Sequence, residues 1–177
     1  KARLWRRGTS LADASVLLES APSDAYGIGS LGAGGEVFLT RNASDRDVRL
    51  HLLRGGRAAA LELPPLVRRA RSLTPSLNIV RGQLVVQPAS DWSVGDRNYA
   101  AGAVIAIPLE AFLAGSREFT VLVAPDDSTV LYEASSSGEA VIVELLRNVH
   151  SELHEYRFAD GRWRGTRVPA PELGVVQ

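Results

Sequence analysis

The chain contains no cysteine and no methionine among its 177 residues, and only 6% of it is aromatic. Without cysteine there can be no disulfide framework and no thiolate metal site. No run of about 18 apolar residues occurs, so no helix able to span a bilayer is encoded. Residues 1–8 are basic but lead into no apolar segment, so the pattern of a signal peptide is missing. The missing methionine means that the chain does not include an initiator residue. A piece of a longer protein is therefore expected.

What is present is the make-up of a folded protein. A hydrophobic content of 45% excludes wholesale disorder, and the length suits one domain or part of a larger one. Twenty basic and twenty acidic residues cancel overall. The halves differ: residues 1–88 hold thirteen basic and seven acidic groups, and residues 89–177 hold seven and thirteen. Such asymmetry would fit a charged groove or self-association of opposite faces, but compositional drift along a folded chain is the favoured reading. The densest basic spot is Arg68, Arg69 and Arg71. It has no interleaved aromatics, so nucleic acid is not an expected partner, and nor is a membrane. Nineteen of the twenty basic residues are arginine, which fits a GC-rich bacterial genome; a cytoplasmic rather than periplasmic setting is expected.

Helical periodicity is scarce, and short runs of β-branched and apolar residues alternate with turn residues. Strands are expected at 15–19 and 36–40. The runs 48–54 and 57–63 flank Gly55-Gly56 and read as a hairpin, because glycine supplies the positive φ of a tight primed turn. Three more hairpins follow: 77–80 with 83–87, 129–134 with 140–146, and 153–158 with 162–168, the last around Asp160-Gly161. Further strands are expected at 103–109 and 119–123. One short helix is expected after Pro108 and before Gly115, with Glu110 in its first turn. Residues 91–102 read as a long loop or an extended hairpin tip.

An internal echo accompanies these strands. Leu50-His51 precedes the Gly55-Gly56 turn, and Leu153-His154 precedes the Asp160-Gly161 turn 103 positions later. Half of that interval is about 51 residues, near the length of a propeller blade, and the intermediate copy falls at 104–109. A blade is a four-stranded antiparallel sheet that covers its faces against its neighbours. The expected fold class is therefore all-β: a partial β-propeller of three to four blades. The expected divisions are a first strand and loop over 1–33, then blades over 34–72, 73–125 and 126–177.

The chemical motifs are sparse. Gly27-Ile28-Gly29-Ser30-Leu31-Gly32 matches G-x-G-x-x-G by letter, but Gly34-Gly35 and a strand follow where a dinucleotide site needs a helix, so the stretch is read as a loop. No G-x-S-x-G nucleophile elbow occurs. His150 and His154 stand four apart, which on a strand means about 13 Å, too far to share a metal. Asp126-Asp127 reads as a turn, Glu152 and Glu155 compel no shared site, and Asn42-Ala43-Ser44 reads as an unmodified turn. Trp163, flanked by Arg162 and Arg164, is expected to face the space between blades. Trp92 is read as a loop pin rather than a pocket anchor.

Several segments together resemble one family. They are Trp5-Arg6-Arg7-Gly8-Thr9-Ser10-Leu11-Ala12-Asp13-Ala14 with Val16-Leu17-Leu18-Glu19, and Ser90-Asp91-Trp92-Ser93-Val94-Gly95-Asp96 continuing to Tyr99 and Gly102. Glu110-Ala111-Phe112-Leu113-Ala114-Gly115 with Phe119 and Val121-Leu122, then Arg147-Asn148-Val149 and Trp163, complete the set. They resemble the propeller of bacterial prolyl oligopeptidase-like serine peptidases. The resemblance implies a seven-bladed propeller beside an α/β-hydrolase domain that carries a Ser–Asp–His triad and cleaves short peptides after proline. The propeller would then exclude large folded substrates. No triad motif has a counterpart here, so no catalytic, cofactor-binding or metal-binding residue is assigned, and no cofactor is expected. The expected partners are the catalytic domain of the parent chain, short peptides, and a second copy paired through open sheet edges. Two other readings are a stand-alone β-rich binding module and a hydrolase built on His150 or His154.

Overall fold

The computed structural model describes residues 1–24, 26–42, 48–68 and 75–169. They fall into two compact units, Lys1–Pro65 and Leu66–Gln177. Arg69 and Arg71 of the basic spot, and Ala43 and Ser44 of the sequon, lie outside the described residues.

The first unit opens with an antiparallel pair, β1 (Ala2–Leu4) and β2 (Ser15–Leu18). The connection is held by its own side chains. The Trp5 indole N–H donates to the Thr9 carbonyl at 3.0 Å, and the Ser10 hydroxyl accepts from the Ala12 N–H at the start of a 3-10 turn, Leu11–Asp13. The Trp-Arg-Arg-Gly-Thr-Ser stretch is thus a local folding signal. Next come β3 (Tyr26–Leu31), β4 (Val37–Asn42), β5 (Val48–Arg54) and β6 (Arg57–Leu61), a four-stranded antiparallel sheet in chain order. Phe38, Leu39, Leu50, Leu52 and Leu61 are its buried apolar residues. Asp24 anchors the approach to β3: its carboxylate accepts from the Ala21 N–H at 2.7 Å and takes the Arg41 guanidinium in a two-pronged contact.

One expectation fails in this unit. Residues 27–31 are not loop but most of β3, paired with β4 from Tyr26–Asn42 to Leu31–Val37. The first sheet therefore begins before residue 34. The glycines are there for close approach: a Cβ on Gly27 would lie 3.2 Å from the Ser20 hydroxyl and 3.5 Å from the Thr40 carbonyl. Gly32 and Gly35 then form a turn into β4, so no helix follows this glycine motif.

The second unit holds two more sheets of the same kind. In the first of them, β7 (Leu77–Val80) and β8 (Gln83–Val86) form a hairpin. A smaller hairpin, β9 (Trp92–Val94) with β10 (Arg97–Tyr99), then interrupts the sheet, which resumes with β11 (Val104–Pro108). A short helix α1 (Leu109–Leu113) leads to β12 (Thr120–Val123), and the strand order is β12-β11-β8-β7. The second comprises β13 (Thr129–Ser136), β14 (Ala140–Arg147), β15 (His150–Ala159) and β16 (Arg162–Val168), again in chain order. The turns at Gly55-Gly56, Arg81-Gly82 and Asp160-Gly161 all have positive φ at both central residues, as type I′ hairpins require. α1 begins after Pro108 and ends before Gly115, whose φ is +100°.

The described residues are therefore all-β, with three four-stranded antiparallel sheets among them. The sequence echo has a structural meaning: β5, β11 and β15, which hold Leu50-His51, residues 104–108 and Leu153-His154, are each the third strand of their sheet.

In the second unit the two sheets pack on each other. Val80, Val85, Val104 and Ala106 of one meet Ala134, Val141 and Val143 of the other in a cluster with almost no solvent exposure. The first strands of these sheets, β7 and β13, run in the same direction at a constant offset. The Ser136 hydroxyl donates to Asn78 Oδ1 at 3.0 Å, and Arg81 pairs with Glu139 at 2.9 Å, each 58 positions apart.

Tyr156 on β15 lies across its cross-strand neighbour Gly165 on β16. A Cβ on Gly165 would stand 2.6 Å from the Tyr156 ring. An alanine is ordinarily better than glycine within a strand. Here Gly165→Ala is expected to destabilise the chain by about 1–3 kcal/mol, because the ring must leave its place against the core. Urea unfolding followed by circular dichroism checks this; an unchanged or raised midpoint would contradict it.

Candidate functional site

The valine and alanine contact between the two sheets of the second unit does not extend to their outer strands. There larger side chains take over. Leu122 and Val123 from one sheet, and Tyr156 and Trp163 from the other, are only partly buried against the cluster. Beyond them the sheets leave a groove of about 430 Å³. Gln83, Pro108 and Thr120–Leu122 line one side, and Tyr156, Phe158, Gly161–Trp163 and Gly165 line the other. Phe158 and Trp163 are cross-strand partners with ring centroids 5.4 Å apart. Alternation along β15 and β16 puts Tyr156, Phe158, Trp163 and Gly165 on one face. Trp163 thus faces the space between sheets, as its flanking arginines suggested. The lining contains one charged residue, Arg162, and no carboxylate.

The same face of β15 carries Glu152 and His154 further along. Glu152 is 12% exposed and accepts from or shares a proton with His154 Nε2 at 2.8 Å. Arg167 and Arg147 approach it at 3.8 and 4.0 Å. The His154 hydrogen bond first, then the charges of Arg167 and Arg147, hold the Glu152 carboxyl below the usual range against the opposing effect of burial. A carboxylate stabilised in this way is a poor proton donor at neutral pH. His154 also stacks on Tyr156, with centroids 6.5 Å apart. The pair is a histidine with its carboxylate, the two supporting members of a hydrolytic triad, but the hydrogen bonds of the described residues bring it no hydroxyl nucleophile. His150 lies on the exposed first position of β15 and pairs across the sheet with Arg147. His51 belongs to the first unit, where burial lowers its pKa. Among the described residues no three His, Asp or Glu side chains converge as metal ligands.

Trp92 is a pin, as its setting in a polar loop suggested. Its ring stands 5.8 Å from Tyr99 and 5.4 Å from Phe119, and Phe119 stands 6.1 Å from Phe112 on α1. The Tyr99 hydroxyl joins this box to the backbone: it donates to the Arg117 carbonyl and accepts from the Phe119 N–H, both at 2.9 Å. Arg117 covers the Phe112 ring at 4.3 Å. The β9–β10 hairpin is thereby fixed to the α1–β12 connection. Asp126 is a turn residue as expected, with its Oδ1 accepting from the Ser128 N–H and hydroxyl, both at 2.8 Å.

Comparison with known proteins sharpens this picture. No family model matches the sequence. A 99-residue stretch, 54% of the chain, is 30% identical to the "Uncharacterized peptidase y4nA" of Sinorhizobium fredii. The fold superposes on a post-proline cleaving enzyme from Rickettsia typhi with a TM-score of 0.75 over 94% of the chain, at 17% identity. The chain is thus similar in sequence to part of a peptidase and in fold to part of a post-proline cleaving enzyme. It spans 14% of the Sinorhizobium peptidase and 25% of the Rickettsia enzyme. The segments quoted above for their resemblance map onto folding devices: the Trp5–Ala12 loop, the Trp92–Tyr99 hairpin and the α1–β12 aromatic box. Apart from Trp163, the groove is not legible in the sequence, because its walls come from separate strands, with Gln83 and Gly165 82 positions apart.

Two outcomes follow. Tyr99→Phe is expected to cost about 1–3 kcal/mol, because it leaves the buried Phe119 N–H without its acceptor; thermal unfolding reads this directly. Glu152 stabilises the fold above the ordinary carboxylate pKa of 4.5, and that contribution is lost as pH falls through its lower folded value. Urea midpoints of Glu152→Gln should therefore be lower than those of the parent chain at pH 7. The gap should narrow as the pH falls below 4.5 and close in more acid solution; a gap that is the same at neutral and acid pH would refute the assignment.

Proposed function

We propose that this chain is a non-catalytic segment of the β-propeller of a prolyl oligopeptidase-like serine peptidase. In that reading its role is steric. Rigid sheets border the route to a catalytic α/β-hydrolase domain supplied by the rest of the parent protein, and they admit short proline-containing peptides while excluding folded proteins. The observation that carries it is the repeated four-stranded meander, three sheets long, in a sequence with no nucleophile elbow. The resemblance in fold to a post-proline cleaving enzyme, over a quarter of that enzyme, supports it. The stacked sheets of the second unit supply the rigidity that a filter needs, since a wall held by a dry core does not yield to a bulky substrate.

The test has two arms. The purified 177-residue chain is expected to leave a proline-containing fluorogenic peptide intact; turnover abolished by replacing His150 and His154 with alanine would favour an independent hydrolase instead. The longer protein is expected to cleave the peptide, with a kcat/KM at least about a hundredfold above that for a folded protein containing the same sequence. Equal rates on the two substrates would remove the steric role.

A further inference from the structure

At one end of the β13–β16 sheet, the face that elsewhere forms the core carries a block of basic side chains. Arg147 pairs across the sheet with His150, and Arg167 with His154. His150, Glu152 and His154 alternate onto one face of β15, so all five side chains share that face. Glu152 is the one carboxylate of the block, set among two arginines and two histidines. It is already engaged by His154 Nε2 at 2.8 Å. Arg167 stands 3.8 Å from its Oε1 and Arg147 stands 4.0 Å from its Oε2, close enough for charge attraction but too far for hydrogen bonds. Neither guanidinium has a second carboxylate within ion-pair distance or a hydrogen-bond acceptor among the described residues. The two side chains are 46% and 60% exposed, so their donors are open to solvent. Two planar forks thus flank one carboxylate from the neighbouring strands on either side, with their hydrogen bonds unspent.

A guanidinium fork fits the oxygens of a carboxylate or a phosphate. Charge and donor number separate the two. Glu152 offsets one of the two arginine charges, and a net positive charge remains with both histidines neutral. A carboxylate brings a single charge and two oxygens. A phosphate monoester near neutral pH carries close to two charges and three strong acceptor oxygens, enough to engage both forks together. We propose that Arg147 and Arg167, with His150 beside them, bind a phosphate group, either the free ion or a monoester. Glu152 is the positioning residue: it draws the two guanidiniums toward one point and keeps them apart from other carboxylates. The bound phosphate then ties β14 and β16 across β15, at the end of the face where apolar side chains give way to polar ones.

The test uses the 177-residue chain at about pH 7.5, where phosphate is largely dianionic, with chloride added to hold ionic strength constant. Backbone amide shifts are followed by nuclear magnetic resonance during titration with inorganic phosphate, methyl phosphate and acetate. The expected result is saturable shifts at residues 147–154 and 166–168, with phosphate bound at least about tenfold more tightly than acetate. The thermal midpoint should rise with phosphate concentration, as binding to the folded state requires. Arg147→Gln and Arg167→Gln should each weaken phosphate at least about tenfold. Arg164→Gln removes the same charge from the opposite face of β16 and should leave the affinity unchanged. Binding of inorganic phosphate but not methyl phosphate assigns the site to the free ion, and binding of both to a phosphorylated ligand as well; either upholds the proposal. Absence of saturable shifts, shifts confined to other strands, equal binding of acetate and phosphate, or equal effects of Arg164→Gln and Arg167→Gln would each overturn it. The steric function is read by cleavage in the longer protein and stands or falls separately.

Discussion

The second unit depends on a dry contact between two sheets made almost wholly of valine and alanine. Val80, Val85, Val104 and Ala106 meet Ala134, Val141 and Val143 with almost no exposure to solvent. Small β-branched side chains have few rotamers and short reach, so the sheets come close and settle in one register. The parallel run of β7 and β13 at a constant offset of 58 positions is the outcome of that fit. The polar pairs Asn78–Ser136 and Arg81–Glu139 mark the register rather than create it. A surface ion pair such as the second contributes little by itself.

The same contact explains the groove. Strands in a twisted sheet rotate steadily relative to one another, so two sheets that touch at their first strands diverge toward their last. Side-chain size follows the divergence. Alanine and valine fill the narrow part, Leu122, Tyr156 and Trp163 fill the wider part, and past these the space is left open. Gly165 allows the Tyr156 ring to lie flat on the neighbouring strand and so sets the floor of the opening. Further along the same face, where β15 turns polar, Glu152 is satisfied by His154 and two arginines instead of by apolar neighbours. A histidine–carboxylate pair in this setting is structural: it closes the polar end of a sheet face.

Much of the fold was legible in the sequence. Gly55-Gly56, Arg81-Gly82 and Asp160-Gly161 announce hairpins because few dipeptides tolerate two positive φ angles in succession. The Leu50-His51 and Leu153-His154 echo proved to be a positional one, marking the third strand of a sheet each time. β3 is hidden in the sequence because glycines in a run read as turn punctuation. Gly27 serves close contact with Ser20 and Thr40, and a glycine carries no side chain by which alternation could be read. The β9–β10 hairpin was half visible, since Trp92 and Tyr99 stood out in a polar stretch. Their convergence on Phe112 and Phe119 was not, because those partners sit beyond an intervening strand.

The local elements are encoded in short stretches of chain: where it turns, which runs are strands, where α1 starts and stops, and the lack of a nucleophile elbow in the sequence. These depend on residues within a few positions of each other, through φ preference, side-chain alternation and capping. How the sheets of the second unit stack, that Trp163 and Phe158 form a wall, that Glu152 is held by His154, and that a groove remains between the two sheets emerge only in the folded chain. Those outcomes depend on volume and distance between residues far apart in the chain. They are set by how closely two faces can approach, which no single strand specifies.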